Sequence, residues 1–144
     1  MARKSRISIG NKIAEPAPYY RVGVYARISK EETQYSSSVE VQEGMGKEFI
    51  STHRDMQYIK CYSDINISSF ASVRPAFEEM VGDINAGKIN CVIVKDISRF
   101  GRNYIQTMEY ISETFPRMGV RFVSLAERYD SINDTTSIAL NCHY

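Results

Sequence analysis

The 144 residues include only two histidines, His53 and His143, and three cysteines, Cys61, Cys91 and Cys142, widely spaced and odd in number. No CxxC pair accompanies either histidine, so the common thiolate and imidazole metal sites lack their ligands. A scattered, odd set of cysteines also argues against a disulfide framework and for a reduced, cytoplasmic chain. There is no run of eighteen apolar residues, so no transmembrane span and no membrane partner are expected. An excess of charge is missing too: 18 basic against 17 acidic residues give a net +1, whereas a self-sufficient nucleic-acid binder is clearly basic. Any contact with nucleic acid has to be local. The opening MARKSRISIGNKIAEPAP is basic but lacks the apolar centre of a secretory signal. Residues 1–19 are therefore expected to form a flexible arm ahead of a single globular domain.

What the chain does contain is alternation. RVGVYARI (Arg21 to Ile28) is β-branched and aromatic, as a buried first strand would be. Next comes a helix, opened by Ser37 and Glu40 at capping-box spacing and striped by Val41, Met45 and Phe49; Gly44 and Gly46 weaken it. MQYIKCYSD returns to strand character. The loop SSFASVRP ends on Pro75, suited to the first turn of a second helix with Phe77, Met80, Val81 and Ile84 along one face. NCVIVK (Asn90 to Lys95) is continuously apolar, like a parallel strand covered on both faces. Tyr104, Met108, Ile111 and Phe115 mark a third helix ending near Pro116 and Gly119, and VRFVSL supplies a fourth strand. Strands alternating with helices predict a three-layer α/β/α fold around a mostly parallel sheet of four to five strands, with its ligand site outside the carboxyl ends of the strands. DTTSIALNCHY reads as the start of a last helix.

The residues just past the strands are unusual. Arg27 and Ser29 follow the first, Asp64 the second, and Arg99 and Arg102 the third, with Arg74 closing the loop beyond Asp64. Each alone has a plain structural explanation. A serine there caps a helix, an aspartate forms a turn, Arg99 and Arg102 are solvated, Arg74 covers apolar surface with its stem, and Gln42 lies on a helix surface. Convergence of a hydroxyl, a carboxylate and up to four guanidiniums on one edge of a sheet points instead to phosphate. Guanidiniums can meet the non-bridging oxygens of a phosphodiester under attack without a metal. Arg99 and Arg102 are one turn apart at a helix start, where both could face one phosphate beside the positive end of the helix, and Gly101 leaves room for close approach. No histidine is placed to activate Ser29, and Lys30 belongs to no recognisable relay.

Together VYARIS, SVEVQ, YSD with RPAF downstream, and VIVKDISRFGRN resemble the catalytic domain of serine site-specific recombinases, the resolvase and invertase superfamily. DISRFGRN, RPAF and the long stretch between Ser29 and Gln42 are similar to the large serine recombinases. The likeness runs from about Tyr20 to Leu140. It implies a resolvase-like fold over residues 20–130 and DNA strand cleavage and rejoining through a 5′-phosphoserine at Ser29, with no cofactor, no metal and no small-molecule substrate. It further implies that Arg27, Arg74, Arg99 and Arg102 surround the scissile phosphate, while Gln42, Asp64 and Ser68 support the site. Partners would be DNA and other copies of the protein, as dimer or tetramer. Residues 131–144 would begin a truncated C-terminal helix, with DNA-binding domains beyond it, which would reconcile the even charge with a DNA substrate. Two departures stand out. Small resolvases carry Asp at the position of Ser98, and DINISS replaces a DxGxSG pattern, substituting Asn66 and Ser69 for glycines. Two other readings compete: a receiver-like phosphate-sensing module using Asp64 and Lys95, and a catalytically idle assembly domain.

Overall fold

The first strand is apolar on both faces because it lies inside the sheet. The computed structural model describes residues 19–28, 38–65, 73–100 and 104–133, and their strands form one sheet. β1 (Tyr20–Ile28), β2 (Met56–Ile65), β3 (Cys91–Val94) and β4 (Arg121–Ser124) run parallel, and the short β5 (Tyr129–Asp130) is antiparallel to β4. Their order is β2-β1-β3-β4-β5, so β1 and β3 are neighbours from which the chain departs in opposite directions. The helices are α1 (Val39–Ser51), α2 (Pro75–Asn85), α3 (Ile97–Phe100), α4 (Tyr104–Glu109) and α5 (Phe115–Met118).

One sheet face buries Val22, Val24, Ile93 and Val123 with Ile50 of α1; the other buries Tyr25, Val92, Val94 and Phe122 with Phe77, Met80 and Ile84 of α2 and Phe115 of α5. This is the expected three-layer arrangement. β5 is held at its edge by a buried ion pair, in which Arg121 donates from Nε and Nη2 to the two Asp130 carboxylate oxygens at 2.9 and 2.6 Å. The arm, apart from Tyr19, lies outside the described residues. So does the last helix beyond Asn133, and residues 131–133 form a turn.

Two helices differ in register from the sequence reading. The N-cap of α1 is Ser38, whose hydroxyl accepts the Val41 amide at 3.2 Å, and Ser37 lies outside the described residues. The deepest line of α1 is Gln42, Gly46 and Ile50, not Val41, Met45 and Phe49, which flank it half-buried. Gly46 is the reason: a Cβ there would come within 2.7 Å of Val24 Cγ2, so the glycine lets the helix close on β1. Gly44 faces open space.

The third expected helix is not regular. α4 and α5 are joined by a π-helical turn, Tyr110–Thr114, in which the Phe115 amide reaches back to the Tyr110 carbonyl. Pro116 comes directly after it and has no N–H to continue a regular ladder, and a wide turn accommodates that loss. It also keeps Thr107, Ile111 and Phe115, spaced by four residues, all buried. Gly119 ends the element at φ 76°, a left-handed position suited to glycine.

The two glycines of α1 should respond in opposite ways to the same change. Gly44→Ala is expected to raise stability by ~0.5 to 1 kcal/mol through helix propensity. Gly46→Ala is expected to lower it by ~1 to 3 kcal/mol through overpacking against Val24. Urea denaturation of the two variants measures both.

Candidate active site

In a sheet of this order, the crevice opens where the chain leaves β1 and β3 to opposite sides, at their carboxyl ends. β3 pairs with β1 only as far as Val94 opposite Tyr25. Beyond that point side chains take over the main-chain hydrogen bonding of β1. The Gln42 amide, 1% exposed, brackets the Arg27 backbone, with Oε1 accepting its N–H and Nε2 donating to its carbonyl, both at 3.3 Å. Gln42 is thus a buried surrogate for a neighbouring strand, not the surface residue that its helical position suggested.

Arg27 and Arg99 each hold the other's main chain. Arg99 Nη1 donates to the Arg27 carbonyl at 2.9 Å. Arg27 Nε donates to the Arg99 carbonyl at 3.3 Å, and its Nη2 to the Ser98 carbonyl at 2.9 Å. Both are buried, at 4% and 6% exposure, so neither is a solvated surface arginine. Carbonyl oxygens orient a guanidinium without cancelling its charge, so these contacts hold two guanidiniums together while fixing α3 to the end of β1.

Beside this pair lies a second network. Asp64, 3% exposed, is opposite Arg27 in the β1–β2 register. Its Oδ1 accepts the Ala76 amide at 2.9 Å, and its Oδ2 accepts the Phe77 amide at 3.1 Å and the Tyr25 hydroxyl at 2.8 Å. It therefore caps α2 from a distance, a task that Arg74, the residue preceding Pro75, leaves undone. Arg74 lies over the Phe77 ring at 4.3 Å and donates from Nη1 to the Tyr25 hydroxyl at 3.4 Å. Burial, above all, raises the Tyr25 phenol above its ordinary range; Arg74 opposes the shift and Asp64 adds to it. Tyr25 thus stays a proton donor at physiological pH.

Of the residues expected at the site, Arg27, Gln42 and Arg99 form one network and Asp64 and Arg74 the other, the two meeting on β1 at Arg27 and Tyr25, two positions apart. Ser29, Ser68 and Arg102 lie outside the described residues. The receiver-like reading fails on Asp64: a phosphoacceptor needs an accessible carboxylate, and this one is buried under three donors. Among the described residues no acidic, cysteine or histidine cluster could hold a metal, and no helix is long and apolar enough to cross a membrane.

The family model "Resolvase, N terminal domain" matches residues 22–143. The chain belongs to this resolvase family. It is a catalytic domain of site-specific DNA recombination, and hence part of an enzyme that acts on DNA. Among solved structures, the N-terminal catalytic domain of TP901-1 integrase is similar at 21% identity and a TM-score of 0.70, over 84% of this chain and 88% of that one. A resolvase family site-specific recombinase from Streptococcus pneumoniae is 26% identical with a TM-score of 0.68, over 85% and 83%. The catalytic domain of ISC1926 TnpA, an IS607-like serine recombinase, is 21% identical with a TM-score of 0.61, over 73% and 70%. No curated protein matches the sequence.

Within this resolvase domain, one participant escaped the sequence reading. Tyr25 looked like a core aromatic of the first strand, and it is one, but its hydroxyl joins Asp64 to Arg74. A tyrosine two positions before Arg27 on the same strand face was the available signal. Tyr25→Phe is expected to keep the ring packing and lower stability by ~1 to 2 kcal/mol, the cost of leaving Asp64 one donor short. Chemical denaturation with an unchanged m-value would register that loss.

Proposed function

We propose that this domain cleaves DNA by attack of the Ser29 hydroxyl oxygen on a phosphodiester. The Oγ–P bond forms as the P–O3′ bond breaks, the serine proton is released, and the 3′ oxygen leaves as a hydroxyl after gaining a proton. The 5′-phosphoserine keeps the bond energy for rejoining. The observation that carries this reading is the interlocked, buried pair of Arg27, near the carboxyl end of β1, and Arg99, in the helix that follows β3; Arg27 precedes Ser29 by two residues in the sequence. Two such groups side by side suit a phosphoryl centre whose oxygens gain negative charge on attack. Arg74 and Arg102 complete the phosphate-binding set, with Arg99 also stabilising the leaving oxygen, and Gln42, Asp64 and Ser68 hold the frame.

The reading extends to partners. The domain works on DNA as dimers that pair into tetramers in the cytoplasm, with residues 1–19 as an arm and 20–130 as the catalytic unit. Its even charge leaves most sequence recognition to other parts of the assembly.

A supercoiled plasmid carrying DNA from both sides of the gene, as a source of recombination sites, tests the chemistry with the full-length gene product. Wild-type protein is expected to form a covalent protein–DNA adduct that survives denaturation, and Ser29→Ala none. An adduct persisting in Ser29→Ala would remove Ser29 as nucleophile. Arg99→Ala is expected to slow adduct formation by ~100-fold or more, as for loss of one transition-state donor.

A further inference from the structure

Arg99 is held from a second side. Asp96 stands between β3 and α3, and its carboxylate meets both the main chain and the guanidinium of Arg99. Oδ1 accepts the Arg99 amide at 3.3 Å and the Ser98 hydroxyl, and the Asp96 carbonyl accepts the same Arg99 amide at 3.1 Å. Oδ2 is 3.5 Å from Arg99 Nε. One carboxylate therefore hydrogen-bonds the turn from which Arg99 springs and lies in ion-pair range of the guanidinium in which it ends. Asp96 is partly exposed, whereas the carboxylate buried at this edge, Asp64, is turned toward the amides of α2 and the Tyr25 hydroxyl.

We propose that Asp96 is a positioning residue for the strand-cleavage reaction: it sets the Arg99 guanidinium against the Arg27 carbonyl, at the angle from which it meets the scissile phosphate. Ser98 braces that carboxylate from within the same turn. The inference rests on the role given to Arg99 above. A long side chain anchored only at its far end samples several orientations, and a misplaced charge costs rate rather than binding, since DNA affinity is spread over many phosphate contacts.

The test compares wild type with the isosteric Asp96→Asn in the full-length protein. Single-turnover adduct formation should fall by roughly ten- to a hundredfold with DNA affinity unchanged. The Arg99 Nε–H resonance of protein labelled with ¹⁵N-arginine should move. In an Arg99→Lys background, Asp96→Asn should cause no further loss, because the two substitutions remove one shared interaction. Proportional losses of rate and affinity, additive losses in the Arg99→Lys background, or an unmoved resonance would each overturn the assignment. Loss of the fold would do the same, because a positioning role leaves the domain intact. If the wild-type protein forms no adduct at all, the cleavage reading fails, and the resonance alone still decides whether Asp96 holds Arg99.

Discussion

The exchange of hydrogen bonds between Arg27 and Arg99 is the contact on which the rest of this edge depends. A strand end and a one-turn helix, remote in sequence, are fastened by two side chains that each grip the other's main chain. α3 has little else to hold it, whereas the end of β1 is also paired with β2 as far as Ile28 and bracketed by Gln42. α3 is only four residues long, too short to persist alone, and β1 outruns its neighbour β3. The same groups that could bind a phosphate thus build the surface on which it would rest. Removing either arginine removes a charge and a structural fastening at once.

The near-neutral total charge becomes intelligible at this scale. Acidic residues offset distant cations elsewhere, as in the pairing of Asp130 with Arg121, while at the crevice Asp64 faces a helix terminus and Asp96 supports a single arginine. What distinguishes this edge is the placement of its arginines, not their number. A count of charges over the whole chain could not reveal it.

The alternation of strands and helices was legible because it depends on composition that burial dictates. β3 has no exposed side and so no polar residue, and the face of α2 repeats at helical spacing. The converging arginines were legible for a different reason, since strand ends in such a sheet must meet. Three features were hidden. The burial of Gln42, which only the family resemblance placed at the site, left no mark on periodicity, because the apolar stripe beside it is stronger than the line that faces the sheet, where a glycine, not a large side chain, makes the contact. Tyr25 passed for core, since a hydroxyl at the rim of a buried ring leaves no mark on periodicity. Asp64 offered a carboxylate without an address, and only the fold shows that it caps α2 eleven residues downstream of itself at Pro75. β5, with two residues, is too short to have a pattern.

The π turn within the third helix has a consequence at a distance. Each residue inserted in a helix rotates everything on one side of it by about 100° relative to the other. The Phe115 end is anchored in the core, so the extra residue at Tyr110–Thr114 sets the azimuth of the Tyr104 end of the helix. The angular setting of α4 is thus established by a fault in helical periodicity well along the chain from its first residue.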